Sequence, residues 1–210
     1  MRGIEWEHIW GVVAADLDES WAVGLGHLVT EDVLRFATSK ALVGGGVKGE
    51  RLQNEWRRPG VPDAVDLVVA TEPGAAIEFK YPREPREKNA AWTQHLGELL
   101  KDFYRLAYMP EGFEQRWCVQ LLTPRVQQYL AGVGDRHRVC IALEPGRTTG
   151  LDPQVVRALP ATATAQLARW LAHPEPVVAT CIESRQVGQL ALVVHAVSPS
   201  ATRTATESGG

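Results

Sequence analysis

The feature that most limits the fold of this chain is a set of three short strand-like segments separated by proline and glycine turns. They cover residues 51–57 (RLQNEWR), 65–70 (VDLVVA) and 75–81 (AAIEFKY). The turns between them are Arg58-Pro59-Gly60-Val61-Pro62 and Thr71-Glu72-Pro73-Gly74. Short apolar strands joined by such turns predict an antiparallel meander.

Helical patterns flank this meander on both sides. Thr30 can cap a helix whose first turn carries Glu31 and Asp32, and this helix should end at the glycines that begin with Gly44. Apolar residues at steps of three and four predict a long helix over residues 90–108, followed by a strand at 116–122. The mixture of helices and strands predicts an α/β fold.

The rest of the chain has weaker patterns. It predicts helices near residues 4–15 and 124–130, a strand at 137–143, a helix over 153–171 with a break at Pro160, and a hairpin of 177–182 with 189–197. Residues 198–210 (SPSATRTATESGG) have almost no apolar side chains to bury. We therefore expect one domain over 1–197 and a disordered tail.

Composition narrows the class of protein. The formal charge of −3 argues against coating nucleic acid by bulk charge, so such a partner would require a local basic surface or a second chain. The chain shows no membrane-spanning stretch and no secretory signal, and its cysteines Cys118, Cys140 and Cys181 are odd in number. We therefore expect buried free thiols in a cytoplasmic protein.

The strand predicted at 75–81 carries a carboxylate and an amine on the same face. Side chains alternate along a strand, so Glu78 and Lys80 point away from the apolar set that includes Phe79. Asp66 opens the preceding strand, and a hairpin turning at residues 72–74 would bring Asp66 to Glu78. If residues 57 and 64 pair, Glu55 faces Asp66 as well.

Two or three carboxylates that converge on one point repel one another unless a cation lies between them. Oxygen ligands without histidine or cysteine favour Mg²⁺ or Mn²⁺ over zinc. A lysine beside them stays charged and can hold a phosphate oxygen or assist a water molecule. Metal, lysine and carboxylates together are what phosphodiester hydrolysis requires.

Asp66, followed after eleven residues by Glu78-Phe79-Lys80, resembles the motif of the PD-(D/E)XK nuclease superfamily. The resemblance covers residues 30–122 and implies a restriction-endonuclease-like core, a central mixed β-sheet flanked by helices. It implies that Asp66, Glu78 and the Phe79 carbonyl bind the metal and that Lys80 is the activating lysine. Many members add a glutamate on the first core helix, for which Glu31 is the candidate. Asp63, in the literal Pro-Asp pair, lies in the turn, so Asp66 is preferred.

A charged stretch follows the motif. Arg83, Arg86 and Lys88 could clamp substrate phosphates from a loop beside the metal site, and Lys101 with Arg105 could extend that surface. Each of these residues also fits a solvated loop or a salt pair within a helix. Gln94 and His95, early in the same helix, could face the site.

Simpler interpretations stand beside these. Glu78 and Lys80 also fit a solvent-facing charge pair, Asp66 a turn residue, and Glu31 a first-turn helix acid. Glu55 could instead pair with Arg57 or Arg58.

The functional expectation is a Mg²⁺-dependent (or Mn²⁺-dependent) nuclease acting on DNA, and the resemblance suggests defence against foreign DNA or repair as its setting. The alternative is a catalytically silent nuclease-like domain that serves as a nucleic-acid-binding or assembly subunit. A homodimer, or a partner protein, would supply the basic surface that the chain lacks in bulk.

Overall fold

The computed structural model of the chain describes residues 3–58, 63–82, 92–172 and 175–199. A seven-stranded sheet runs through this part of the protein. Its strands are β1 (Leu52–Arg57), β2 (Ala64–Val69), β3 (Gly74–Lys80), β4 (Phe113–Leu122), β5 (Thr148–Leu151), β6 (Val177–Val187) and β7 (Leu190–Pro199). They lie side by side in the order β1-β2-β3-β4-β7-β6-β5.

The sheet is mixed. β1, β2 and β3 form the predicted antiparallel meander. β4 then runs parallel to β3, which requires the chain to cross over between the two strands. The remaining pairs, β4 with β7, β7 with β6 and β6 with β5, are antiparallel. The predicted α/β fold with a central mixed sheet flanked by helices is confirmed at this level.

The helices cover both faces of the sheet. They are α1 (Trp6–Ala22), α2 (Glu31–Gly44), α3 (Trp92–Ala107), α4 (Pro124–Ala131), α5 (Val133–His137), α6 (Pro153–Arg157) and α7 (Ala161–Thr164), and three short 3-10 turns lie at Gly26–Leu28, Gly49–Arg51 and Trp170–Ala172. α2 begins as predicted, because the Thr30 hydroxyl accepts a hydrogen bond from the Val33 N–H at 3.3 Å.

Two apolar cores result. α1 and α2 pack on one face, where Trp10, Leu34 and Phe79 are fully buried. α3 packs on the opposite face, where its apolar stripe, including Leu99 and Phe103, meets the other side of the same strands. β3 is therefore covered on both faces, which is why Glu78 is buried although it points away from Phe79.

The structure corrects two local predictions and confirms a third. Residues 137–143 are not a strand, because the backbone N–H of Ala142 donates to the Thr149 hydroxyl and its carbonyl accepts from His195. The helix expected over 153–171 is interrupted as Pro160 suggested, leaving α6, α7 and a 3-10 turn. β6 continues to Val187, beyond the predicted end at residue 182, and the final hairpin turns at Gly188, where the backbone takes a positive φ.

Two further expectations concern exposure and the chain end. Cys118 and Cys181 are buried free thiols, but Cys140 is exposed. β7 runs to Pro199, and the other residues of the predicted tail lie outside the described part of the chain. Among the described residues, no helix is both long enough and apolar enough to cross a membrane.

Candidate functional site

The candidate site lies where β2 and β3 stop pairing. Leu67 pairs with Ile77, so the next position in the register sets Asp66 opposite Glu78. There the Asp66 carboxylate, instead of a backbone carbonyl of β2, accepts the hydrogen bond from the Phe79 N–H, at 2.7 Å from N to Oδ2. The hairpin thus brings the two predicted acids together.

Glu31 reaches the same end of β3 from the first turn of α2. Its Oε2 accepts a hydrogen bond from the Tyr81 N–H at 3.3 Å. Within a strand, the N–H and C=O of one residue point to the same side. The Phe79 carbonyl therefore faces the side occupied by Asp66.

Glu78 is enclosed beneath α3. It is fully buried, and its Oε1 accepts a hydrogen bond of 2.7 Å from Arg105 Nη1. The same nitrogen of Arg105 donates to the Ala64 carbonyl at 3.0 Å. Glu78 is therefore no solvent-facing strand residue, and Arg105, expected on an outer surface, points inward instead.

Lys80 also faces α3. Its Nζ lies 3.2 Å from Oδ2 of Asp102, which is fully buried. Arg105 Nη2 lies 3.6 Å from the other oxygen of Asp102. Lys80, Asp102, Arg105 and Glu78 thus form an unbroken row of alternating charges between β3 and α3.

Arg35, on α2, completes the group. Its guanidinium lies 3.0 Å from Glu55 Oε1 and 3.7 Å from Asp66 Oδ1. Arg57 of β1 pairs with Ala64 of β2. This register places Glu55 opposite Asp66, as predicted. Glu55 takes a left-handed backbone, with φ of 51°, and it is Arg35 that holds its carboxylate.

We call these seven side chains the carboxylate cluster: Glu31, Asp66, Glu78 and Asp102 with Arg35, Lys80 and Arg105. Burial raises the pKa of Glu78 well above its ordinary value, and the negative charges of Asp102 and Asp66 add to this while Arg105 opposes it. Burial likewise raises the pKa of Glu31 and of Asp102, with Lys80 opposing in both cases.

The pKa values of two cations of the cluster, Lys80 and Arg105, are also raised, but by their charged neighbours and against the effect of burial. Burial disfavours the charged form of Lys80, yet the carboxylates of Asp102, Glu31 and Asp66 outweigh it and raise its pKa. Burial also disfavours charge on Arg105, and Glu78 and Asp102 again raise the pKa. Both side chains therefore stay positively charged at neutral pH.

Two members of the cluster, Asp102 and Arg35, were not singled out for the site by sequence reasoning, and Arg105 was expected only on an outer phosphate-binding surface. One signal was present for Asp102, which falls three residues after Leu99 and four before Leu106, inside the apolar stripe of α3. A charged residue inside such a stripe needs a buried partner. Nothing in the local sequence indicates that this partner is Lys80.

Other predicted positions lie elsewhere. Asp63 forms an ion pair of 3.0 Å with Arg169, away from Asp66's contacts. Gln94 and His95 both contact Glu98 on their own helix. Arg83, Arg86 and Lys88 lie outside the described residues.

The donor chemistry of the cluster suits a hard divalent cation. Glu78 Oε2 is buried and has no hydrogen-bond partner among the described residues, and Asp66, opposite Glu78 in the register, offers further carboxylate oxygens. As the side chains stand, no group of three or more His, Cys, Asp or Glu in the described chain is arranged to hold a metal ion. Arg105 is the cation in contact with Glu78.

Comparison of the chain with protein-family models, with curated proteins and with solved structures finds no match. The likeness to a nuclease family therefore rests on the motif residues and the order of the elements. The function of the site is inferred from the contacts of its own side chains.

Proposed function

We propose that the protein is a Mg²⁺-dependent nuclease that hydrolyses phosphodiester bonds in DNA. The observation that carries the proposal is the position of Asp66 opposite Glu78, at the point where β2 and β3 separate, with Lys80 next on the same face. Glu31 reaches this point from α2. Asp66, Glu78 and Lys80 are the side chains of the motif, and Glu31 is the candidate for the glutamate that many members add on the first core helix.

The order of elements supports a restriction-endonuclease-like core. α2 precedes the antiparallel β1-β2-β3 meander, α3 follows it, and β4 then lies parallel to β3. This is the order that the resemblance implies over residues 30–122. Asp66 lies near the start of β2, and Glu78 and Lys80 lie at the end of β3, the places where the family carries its motif.

Each residue of the proposed site has a role that follows from its contacts. Asp66, Glu78 and the Phe79 carbonyl would hold the divalent ion, which supplies Lewis acidity at a phosphate oxygen and lowers the pKa of a bound water molecule. Lys80 stays charged beside Asp102 and can stabilise negative charge on the phosphate. Asp66 also accepts a hydrogen bond from the N–H of Phe79 in β3, and Glu31 accepts one from the N–H of Tyr81, just after the strand.

A second candidate is a catalytically silent nuclease-like domain that binds nucleic acid or a partner subunit. The observation that favours it is the contact between Arg105 and Glu78, because a guanidinium at 2.7 Å already neutralises the carboxylate that a metal would use. Such a domain needs no metal to remain folded. Its partner would supply the basic surface that a chain of net charge −3 lacks in bulk.

The direct test is incubation of the purified protein with linear, circular and single-stranded DNA, in Mg²⁺, Mn²⁺ or chelator. We expect metal-dependent cleavage that is lost in Glu78→Gln and in Lys80→Met. Glu98→Gln, which alters a partly exposed carboxylate on α3 outside the cluster, is the matched control and should cleave as wild type does. Cleavage retained in a folded Glu78→Gln, Lys80→Met double variant would refute the assignment.

A further inference from the structure

Arg105 occupies an unusual place for a helix arginine. Its side chain is 11% exposed. Its Nη1 donates a hydrogen bond of 2.7 Å to the carboxylate of Glu78, which is fully buried. Arg105 Nε, although buried, has no hydrogen-bond partner among the described residues. The guanidinium is thus held by charge at Glu78 and by the Ala64 carbonyl, without the full set of bonds that a purely structural arginine would make.

The cluster needs a cation at this position. Four carboxylates, Glu31, Asp66, Glu78 and Asp102, face three cations, Arg35, Lys80 and Arg105. Lys80 forms an ion pair with Asp102, and Arg35 lies near Asp66. Among the described residues, Arg105 is therefore the cation that contacts Glu78. A buried carboxylate that loses its only close cation must either take up a proton or bind another cation.

We infer that Glu78 is an acidic ligand whose resident cation is the Arg105 guanidinium, and that a divalent metal ion, shared with Asp66, competes with Arg105 for Glu78. This inference rests on the proposed function for the identity of the metal ligands, but it does not require that DNA be cleaved. It assigns Arg105 as a positioning residue that balances the charge of Glu78 before a metal binds.

The surroundings of Arg105 allow such an exchange. Arg105 Nη2 already lies 3.6 Å from Asp102 Oδ1, so a guanidinium that leaves Glu78 keeps an anionic partner. Arg105 also lines a cavity of about 210 Å³, together with Trp56, Asp63 and Tyr108. The side chain can therefore turn away from Glu78 without entering packed core.

The test measures Mn²⁺ binding by isothermal titration calorimetry, in the absence of DNA, for the wild type and for Arg105→Gln. Removing the competing cation should tighten Mn²⁺ binding by about tenfold or more, the ratio expected for loss of one charged hydrogen bond. Arg169→Gln is the matched control, because Arg169 lines the same cavity but pairs with Asp63, and its affinity should equal that of the wild type. Adding Glu78→Gln to Arg105→Gln should abolish the gain.

Loss of Arg105 leaves Glu78 and Asp102 short of positive charge, so the variant is expected to be less stable. A second variant, Arg105→Gln with Asp102→Asn, removes one charge of each sign, and thermal unfolding at increasing Mn²⁺ gives a second readout. Mn²⁺ should raise the midpoint of both variants more than that of the wild type, because a tighter ligand stabilises the folded state further.

The outcomes separate this inference from the nuclease proposal. If the Arg105 variants bind Mn²⁺ no tighter and gain no more thermal stability than the wild type, the inference is overturned, even where the wild type cleaves DNA. If the variants bind Mn²⁺ while the wild type neither binds it nor cleaves, the inference stands and the nuclease proposal fails in favour of the silent domain.

Discussion

The Asp66 carboxylate replaces a backbone carbonyl as hydrogen-bond acceptor at the position where β2 ceases to pair with β3. Its Oδ2 accepts a hydrogen bond of 2.7 Å from the Phe79 N–H. The acid therefore holds two strands together at the same place where it could bind a cation. Because one oxygen is used in the hydrogen bond, the spare lone pairs and the second oxygen remain for Arg35 or for a metal.

Substitutions of Asp66 should separate these two roles. Asp66→Ala removes the acceptor for the Phe79 N–H, so we expect a loss of about 1–3 kcal/mol in the free energy of unfolding. Asp66→Asn keeps an oxygen acceptor but removes the charge, so it should cost less stability yet weaken Mn²⁺ binding. Denaturant unfolding and calorimetry measure the two effects. Equal stability of the Ala and Asn variants would contradict the structural role.

Asp63→Asn tests the choice between the two aspartates of this region. Asp63 is partly exposed and pairs with Arg169, and exposed pairs of this kind contribute about 0–1 kcal/mol. We expect stability within about 1 kcal/mol of the wild type, and unchanged Mn²⁺ binding and DNA cleavage. Loss of metal binding in this variant, with Asp66 intact, would move the proposed site to Asp63.

Asp102 should be among the most sensitive positions of α3. It is fully buried between Lys80 and Arg105, and removing one partner of a buried ion pair typically costs about 3–5 kcal/mol. Asp102→Ala should lower the free energy of unfolding by that order. Glu98→Ala, four residues earlier and partly exposed, should change it by about 0.5 kcal/mol or less. Denaturant unfolding of both variants under identical conditions makes the comparison, and similar losses would refute the buried network.

His195 should make stability depend on pH. It is fully buried on β7, its Nε2 donates to the Ala142 carbonyl at 2.6 Å, and Gln120 donates to its Nδ1 at 3.0 Å. Burial lowers its pKa from 6.5 to about 4. As the pH falls, His195 is therefore protonated in the unfolded chain before it is protonated in the folded one. The free energy of unfolding should decrease between pH 6.5 and pH 4, by up to about 3 kcal/mol.

The check for His195 is denaturant unfolding between pH 7 and pH 4. His195→Gln should flatten the loss of stability over this window, since the titrating group is gone. His8→Gln, an exposed histidine on α1, is the control and should keep the slope of the wild type. A wild-type slope in His195→Gln would show that other groups cause the loss.

The meander and its flanking helices were predictable because their signals are local. Proline and glycine turns separate β1, β2 and β3, and alternation along β3 places Glu78 and Lys80 on one face. The register that sets Asp66 opposite Glu78 follows from the same turns. Beyond β4 the local signal weakens, and Val139 and Ile141 are apolar because they are buried, not because they pair as a strand.

By itself, the amino-acid sequence determined which residues share β3 and that β2 pairs with it, since these depend on turn chemistry and on a period of two residues. The tertiary structure alone decided that Arg105 holds Glu78 and that Asp102 holds Lys80. Those pairs join residues more than twenty positions apart in the sequence, and their geometry depends on how α3 crosses the sheet. A charged side chain shows in the sequence only that it needs a partner, whereas the packing of helix on sheet determines which partner is near.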